Sequence, residues 1–317
     1  MNLREVDKVE ILTLQDNYID VTALDNTEVI RRAVPLRDMV FSNSILAEHG
    51  FSALITVHSG ESSSSLLFDF GFSEDGAARN AVMLGADLES IEAMVLSHGH
   101  SDHTGGIHRF ASLIAKPHGD IAFVCHPVAF RRQRYLKYAE EIKVHFPELR
   151  RESVLDEGFA LRESTAPLPL LDGRVLFLGE VRRATGFEKG FPIAHYLDDG
   201  TERLDPIEDD TGIAMNVKGQ GLVVLTGCAH SGIINTLRHA VEVTGCDRIC
   251  AVMGGFHLSG PFFEPLIEPT TAELKVLNPR YVVPTHCTGR NAIMYIEREM
   301  PGSFILNMSG TTLTFGA

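Results

Sequence analysis

Short apolar runs of strand length recur along the chain and constrain its fold more than any other feature. They are rich in Val, Ile, Leu and Phe, and most end in Gly, Ser, Asp or Pro. They lie at residues 53–57, 66–70, 93–96, 121–125, 175–178, 222–225, 249–253 and 281–283. Helix-like stretches follow several of them, at 235–243, 270–277 and 291–300. This mixture predicts an α/β protein in which helices cover the sheets.

The chain is long enough for one large domain. It has 317 residues, of which 44% are hydrophobic, and no linker divides it, so we predict a single domain over residues 1–317. The least regular part, at about 129–210, is predicted to be a loop-rich insertion, and such segments commonly shape access to a substrate site. The four serines at 62–65 are predicted to form the turn of a hairpin.

Composition excludes several classes of protein. The net charge of −14 argues against binding to nucleic acid or anionic lipid, which need a positive surface. A small anionic substrate remains compatible, because bound metal ions reverse the local field. No run approaches the roughly 20 apolar residues that span a bilayer, and the N-terminus lacks a signal-peptide core. The five cysteines do not make a disulfide framework. We predict a cytoplasmic protein with a small-molecule substrate, and the sequence makes no prediction of its oligomeric state.

The strongest chemical signal directly follows the predicted strand at 93–96. Here His98, His100, Asp102 and His103 fall within six positions. Imidazole nitrogen and carboxylate oxygen both suit zinc, and they also suit iron or manganese. His98 and His100 alternate as they leave the strand and point the same way, while the other two lie where a helix begins. A solvated loop does not need histidines at this density, so we predict a metal-binding loop.

A metal site needs more ligands than this loop supplies. His230, His257 and His286 each follow a predicted strand, and the carboxyl ends of strands commonly gather at one edge of an α/β sheet. We predict His230 and His286 as ligands. For His257 the sequence leaves two readings open, a ligand or an ordinary hydrogen-bonded histidine.

The cysteines near these histidines are harder to place. Cys228 is either a thiolate ligand, since Zn–S bonding is favourable, or a small buried residue beside the site. Cys287, next to His286, is predicted to be structural, and Cys246 and Cys250 are predicted to be core residues.

The sequence HGHSDH at 98–103 resembles the H-x-H-x-D-H signature of the metallo-β-lactamase superfamily. The resemblance implies a four-layer αββα sandwich with one or two metal ions at the sheet edge. The stretch LLFDFG at 66–71 is similar to the early strand of that superfamily, which ends in an aspartate that supports the site. Asp69 is therefore a candidate for this supporting role, the alternative being a turn residue that closes a strand.

Five stretches resemble one branch of the superfamily more narrowly. They are EHGFSALI at 48–55, SHGH at 97–100, TGCAHSG at 226–232, GGFHL at 254–258 and PTHCTG at 284–289. Members of this branch are described as metal-dependent hydrolases of β-lactamase superfamily II, and they are related to the archaeal ribofuranosylaminobenzene phosphate synthases of methanopterin biosynthesis. The resemblance covers about residues 43–290, in the expected order.

Two positions depart from the wider superfamily pattern. Where a histidine is usual within G-H-T, this chain has DDTG at 209–212, and His230 is the candidate substitute. The bridging aspartate that usually follows T-G is replaced by Cys228. Both departures make β-lactamase, lactonase or glyoxalase activity a poor match.

These features predict one or two divalent transition-metal ions, with Zn²⁺ preferred and Mn²⁺ or Fe²⁺ as alternatives. With two ions, the predicted ligands are His98, His100 and His230 for one, and Asp102, His103 and His286 for the other. Coordination lowers the pKa of water from near 16 to about 7, and the second ion polarises a carbonyl or phosphoryl oxygen. Asp102 is the predicted catalytic residue, because it would also orient the attacking water. The predicted function is hydrolysis of a small ester or phosphoester.

Two other functions are weighed against hydrolysis. The first is a synthase-like transferase in which the ions hold a phosphorylated ribose during carbon–carbon bond formation and decarboxylation. The basic run Arg131, Arg132, Arg134 and Lys137 would then either reach a phosphate or form a solvated helix face. The second is a non-catalytic metal-binding sensor, which the complete first motif disfavours.

Overall fold

The computed structural model describes residues 3–34, 36–37, 39–41 and 44–316. The strands of the first half of the chain are β1 (Glu5–Val6), β2 (Lys8–Gln15), β3 (Ile30–Arg31), β4 (Leu36–Arg37), β5 (Val40–Phe41), β6 (Ser52–Ser59), β7 (Ser62–Phe68), β8 (Ile91–Val95), β9 (Ala122–Cys125), β10 (Arg134–Ala139) and β11 (Ile142–His145). Those of the second half are β12 (Ala160–Glu163), β13 (Leu168–Leu170), β14 (Val175–Phe177), β15 (Ala194–Asp198), β16 (Thr201–Leu204), β17 (Gly212–Val217), β18 (Gly221–Thr226), β19 (Ile249–Gly255), β20 (Tyr281–Thr285) and β21 (Thr312–Gly316). The α-helices are α1 (Gly76–Leu84), α2 (Ser101–Thr104), α3 (Ile107–Leu113), α4 (Arg151–Leu155), α5 (Ile233–Thr244), α6 (Ile267–Leu277) and α7 (Arg290–Glu299).

Two large sheets pack face to face. One has the strand order β12–β9–β8–β7–β6–β2–β21–β3, and the other has the order β13–β14–β17–β18–β19–β20, with β1 beside β17. Apolar side chains such as Ile11 and Phe68 of the first sheet and Met215 and Val223 of the second fill the space between them. Helices α1 and α3 cover the outer face of the first sheet, and α5, α6 and α7 cover the outer face of the second. The predicted four-layer αββα sandwich is confirmed.

Strand direction brings the chemical motifs to one edge of the sandwich. In the first sheet β7, β8 and β9 run parallel, and in the second β18, β19 and β20 run parallel. The HGHSDH loop follows β8, and the loops that carry His230, His257 and His286 follow β18, β19 and β20. Strand β19 is buried along its whole length, which explains its continuous apolar run.

The segment at 129–210, described above as a loop-rich insertion, contains regular structure of its own. Strands β10, β11, β15 and β16 form an antiparallel sheet in the order β11–β10–β15–β16, which we call the wall sheet. The segment also supplies β12 to the first large sheet and β13 and β14 to the second. The basic run enters β10 at Arg134, so the expectation that it forms a helix face is wrong.

The predicted turn at the four serines is also wrong. Residues 62–65 belong to β7, which pairs with β6 from Ser59 opposite Ser62 onward. The turn is made by Gly60 and Glu61 instead, and Gly60 adopts a left-handed φ of 58° that glycine accepts without strain. In the strand, Ser65 Oγ hydrogen bonds across to Thr56 Oγ1 at 3.0 Å. Among the described residues, no helix combines the length and the apolar character needed to cross a membrane.

Candidate metal centre

The HGHSDH loop leaves β8 in extended conformation and then turns into helix α2. His100 is the residue before α2, with φ −77° and ψ 150°, and Asp102 and His103 lie on the helix. A Cβ on Gly99 would lie 2.0 Å from the carbonyl oxygen of Ala129, so only glycine fits between the two histidines. His98, His100 and His103 are buried. The loop that carries these side chains is therefore held in place by the backbone packed against it.

His98, His100 and His230 come together in a first cluster. One ligand atom from each lies within 4.8 Å of the others. Within the described part of the chain, His98 Nε2 and both ring nitrogens of His230 are buried without a hydrogen-bond partner. Leaving a buried polar atom unpaired costs about 1–3 kcal/mol, so these nitrogens fit a role as ligands. Burial lowers the pKa of all three side chains, that of His100 to about 3, which keeps the imidazoles in the neutral form that binds metal ions.

Asp102, His103, Cys228 and His286 come together in a second cluster with the same spacing of ligand atoms. Asp102 Oδ2 lies 3.1 Å from His286 Nε2 and 3.8 Å from His103 Nε2, and Cys228 Sγ lies 3.2 Å from His103 Nε2. Burial would raise the pKa of Asp102, but His103, His286 and a neighbouring histidine, His49, outweigh it and hold that pKa well below its usual range. Asp102 is therefore ionised and aimed at the cluster.

Asp69 orients His103 of the second cluster through the ring nitrogen that faces away from the cluster. Its Oδ2 accepts hydrogen bonds from His103 Nδ1 at 2.6 Å and from Ser97 Oγ at 2.7 Å, and its Oδ1 accepts one from Ser97 N at 2.7 Å. Burial would lower the pKa of His103, but the charges of Asp69 and Asp102 raise it to about 9. A Cβ on Gly227 would lie 2.0 Å from Ser97 Oγ, so glycine is needed where the Cys228 loop passes this pair. These bonds point His103 Nε2 towards the cluster.

Asp209 and Asp210 hold the backbone of the first cluster. Gly99 N donates to Asp209 Oδ2 at 2.8 Å, and His230 N donates to Asp210 Oδ1 at 2.8 Å. Burial raises the pKa of Asp210 to about 6, against the lowering effect of its peptide hydrogen bonds. No sequence pattern predicted this role, although DDTG at 209–212 stands where the superfamily pattern has its histidine.

Asp16 holds the backbone of the second cluster, as Asp209 and Asp210 hold that of the first. It directly follows β2, and its Oδ1 accepts a hydrogen bond from His286 N at 2.8 Å, while its Oδ2 accepts one from Asn307 Nδ2 at 2.7 Å. His286 has a left-handed φ of 46°, so this bond holds the loop that carries His286 in a strained conformation. Burial raises the pKa of Asp16, and the bond from His286 N opposes that rise. No sequence pattern indicated this residue.

Both clusters line a pocket of about 380 Å³. Its apolar side is made by Leu136, Phe146 and Phe191 of the segment at 129–210. The ring of Phe146 stacks on that of His100, with centroids 4.4 Å apart and planes 5° apart. Among the described residues that line the pocket there is no Lys or Arg.

The mouth of the pocket carries polar groups that sequence reasoning missed. His49 is largely exposed, and its Nε2 lies 3.5 Å from Asp102 Oδ2. A hydrogen bond to Asp102 raises the pKa of His49. Asn17 and Ser259 line the same pocket. The EHG sequence at 48–50 was the available signal for His49, because it belongs to the stretches that resemble the narrower branch.

The basic run does not reach this pocket. Each of its side chains pairs with carboxylates instead: Arg131 with Asp205 and Glu208, Arg132 with Glu148, Arg134 with Asp205 and Asp209, and Lys137 with Glu140 and Glu202. These residues stabilise the wall sheet and its connections. Arg134 reaches the first cluster through Asp209, which also binds Gly99 N, and its charge helps to lower the pKa of His100.

The sequence model of the metallo-beta-lactamase superfamily matches residues 47–236, more than half of the chain. The protein belongs to this superfamily. Members usually bind divalent metal ions, and the two clusters offer His, Asp and Cys side chains of the kind that hold them. The superfamily is enzymatic.

Relatives of the protein include a named synthase. The chain is 28% identical, over 99% of both sequences, to the 7,8-dihydropterin-6-methyl-4-(beta-D-ribofuranosyl)-aminobenzene-5'-phosphate synthase of Methanocaldococcus jannaschii. It is 27% identical to an uncharacterized protein of the same organism, over 83% of this chain and 93% of that one. A crystal structure described as a metal-dependent hydrolase of the beta-lactamase superfamily is similar with a TM-score of 0.69 and 26% identity, over 98% of this chain and 100% of that one. The predicted superfamily and its relation to the synthase branch are confirmed.

Proposed function

We propose that the protein is a metal-dependent hydrolase that acts on a small ester or phosphoester. The observation that carries the proposal is the meeting of two clusters of ligand side chains at one pocket, with imidazole nitrogens that no other described group satisfies. We take Zn²⁺ as the ion, with Mn²⁺ or Fe²⁺ as alternatives, because imidazole and carboxylate ligands accept all three.

The proposed ligands follow the two clusters. They are His98, His100 and His230 for one ion, and Asp102, His103 and His286 for the other, with Cys228 within reach of the second. When bound, such ions supply Lewis acidity, which lowers the pKa of coordinated water to about 7 and polarises an ester or phosphoryl oxygen.

The side chains around the pocket have separate tasks in this proposal. Asp102 is ionised and partly open to the pocket, so its carboxylate would accept a hydrogen bond from the attacking water and orient it. His49 Nε2, 3.5 Å away, donates a hydrogen bond to a substrate oxygen at the pocket mouth. Leu136, Phe146 and Phe191 hold the apolar part of the substrate and exclude water from it.

A synthase-like transferase is the second candidate, and the 28% identity to the named synthase over the whole chain favours it. No described Lys or Arg lines the pocket, so the charge of a phosphorylated ribose would be matched by the bound ions. Asn17 and Ser259 would add hydrogen bonds at the mouth. We further propose that the enzyme works as a single cytoplasmic domain on a small molecule, without nucleic-acid or membrane partners, because its net charge of −14 repels polyanions.

Metal analysis of the full chain tests the site. After treatment with a chelator and reloading with Zn²⁺, the wild type is expected to bind two ions per chain. The variant Asp102→Ala is expected to lose one of them, while Asp120→Ala, an exposed aspartate outside the site, keeps both. A wild-type protein that retains no transition metal after reloading would remove the basis of the proposal.

Substrate screening separates the two candidates. The reloaded protein is offered a panel of esters and phosphodiesters and, separately, phosphoribosyl pyrophosphate with an aromatic acid. Ester or phosphodiester turnover without carbon dioxide release supports the hydrolase. Carbon dioxide release supports the synthase. A protein with both ions bound and no turnover in either assay is the sensor considered in the sequence analysis.

A further inference from the structure

The side chain of His257 belongs to neither ligand set proposed above, yet it lies against both. Its ring centroid is 4.2 Å from that of His230, and it lines the same pocket as the two clusters. Its Nδ1 is buried and, among the described residues, has no hydrogen-bond partner. Such an atom destabilises the fold by about 1–3 kcal/mol unless something binds it.

Backbone contacts hold His257 in a conformation that a histidine rarely adopts. The residue has a left-handed φ of 43°, a conformation that costs a non-glycine residue about 1–3 kcal/mol and persists only where the surroundings impose it. Gly255 N donates to Gly227 O at 2.8 Å, and Phe256 N donates to Thr288 Oγ1 at 2.9 Å. The His257 loop is thus fixed between the loop that carries Cys228 and the loop that follows His286.

Aromatic side chains restrict the imidazole further. Phe263 meets it edge to face with centroids 4.4 Å apart, and Phe191 lies 5.0 Å away. These contacts hold the ring beside His230. One ligand atom from each of Cys228, His230 and His257 lies within 4.8 Å of the other two.

We propose that Cys228, His230 and His257 form an auxiliary cation position that takes a thiophilic divalent ion such as Zn²⁺. The inference rests on the proposed two-ion function, because the position shares His230 with the first cluster and Cys228 with the second. Its donor set is one sulfur and two imidazoles, without a carboxylate, which suits zinc and disfavours Mn²⁺. On binding, the Cys228 thiol releases its proton to solvent and the thiolate bonds to the ion.

Because the auxiliary position shares His230 with the first cluster, an ion can occupy one of the two positions but not both at once. The auxiliary position therefore does not hold a third ion. A neutral His230 imidazole has one unprotonated ring nitrogen, so it cannot serve two ions at once. An ion at the auxiliary position therefore draws His230 away from His98 and His100. The two positions exchange one ion, and replacing Mn²⁺ by Zn²⁺ shifts that ion towards the auxiliary position, because only the auxiliary position offers a sulfur ligand besides its imidazoles.

Binding at the auxiliary position can be measured once the first cluster is removed, because His230 is then available to the auxiliary position alone. The double variant His98→Ala/His100→Ala, in the full chain, is titrated with Zn²⁺, and its absorption is recorded with Co²⁺ as a spectroscopic substitute. We expect it still to bind two equivalents, one of them with a thiolate-to-cobalt charge-transfer band. Adding His257→Gln is expected to reduce binding to one equivalent. Adding His239→Gln instead, at a partly buried histidine bonded to Leu178 O, is expected to change nothing.

The outcomes separate this inference from the proposed function. If the double variant binds one equivalent whether or not His257 is present, the auxiliary position does not exist. If the wild type binds no ion at all, the proposed function fails with it. Should the double variant not fold, as judged by circular dichroism, His98→Gln replaces it. In that background, His257→Gln must then weaken one Zn²⁺ equivalent by about tenfold or more, and unchanged affinity overturns the inference.

Discussion

The loops that carry the clusters and the wall sheet beside them are held by different kinds of interaction. In the loops, buried carboxylates accept backbone N–H groups next to the ligands, as Asp16, Asp69, Asp209 and Asp210 do. The wall sheet also has ion pairs that are partly open to solvent, such as those of Glu202 with Lys137 and Lys143. Charge-assisted bonds in a buried place are strong and directional, whereas ion pairs that solvent reaches contribute about 0–1 kcal/mol. The side chains of the two clusters are therefore held more firmly than those of the wall sheet.

The largest expected effect comes from Asp209, which joins the two regions. Its carboxylate accepts hydrogen bonds from Gly99 N and from both terminal nitrogens of Arg134, at 2.5–2.9 Å. In Asp209→Ala the buried guanidinium keeps only Asp205, at 2.9 Å, so we expect the free energy of unfolding to fall by about 3–5 kcal/mol. Denaturant unfolding measures it, and Asp198→Ala, which removes an exposed pair with Arg203, is the control. A loss as small as that of the control would mean that burial does not distinguish the two regions.

Asp16→Ala is expected to act on one cluster alone. The change leaves His286 N without its acceptor, so the loop that carries this ligand loses its orientation. We expect the affinity of the ion at the second cluster to fall by about 10–100-fold, and that at the first to stay unchanged. Asp16→Asn keeps one carbonyl oxygen for His286 N and is expected to restore part of the affinity. Metal titration of the wild type and the two variants measures these affinities. An equal loss of affinity at both clusters would show a general loss of structure instead.

Phe146→Ala tests the wall sheet, the second of the two regions compared. The ring stacks on His100 from the end of the wall sheet, and such ring contacts contribute about 0.5–1.5 kcal/mol beyond their buried area. We expect a higher KM with kcat nearly unchanged, and full metal stoichiometry. Tyr138→Ala, an exposed aromatic on the same sheet, is the control. A drop in metal content would place Phe146 with the ligand loops, not with the wall sheet.

Sequence reasoning found the groups whose chemistry is marked by residue type and position. The His and Asp side chains of HGHSDH, and the histidines after β18, β19 and β20, follow apolar runs that the sheet core requires. Asp16 and Asp210 escaped it because they act by accepting backbone N–H groups from residues far along the chain, and such contacts leave no periodic pattern. The wall sheet was not predicted because β10 and β16 mix charged and apolar residues without a continuous apolar run. Their charged side chains pair with each other only in the folded chain, as Lys137 and Glu202 do.

The smallest expected effect is that of Glu202, in the wall sheet. Its carboxylate accepts hydrogen bonds from Lys137, Lys143 and Tyr135, which together hold its pKa at about 2, below the ordinary 4.5. Because the pKa is lower in the folded protein than in the unfolded chain, the ionised group stabilises the fold above pH 4.5, and this contribution is lost as the pH falls towards 2. The difference in unfolding free energy between wild type and Glu202→Gln, measured by denaturant at a series of pH values, is expected to be constant above 4.5 and to shrink below it. A difference that does not change with pH would show that the Glu202 charge contributes nothing, and that the wall sheet is held by packing alone.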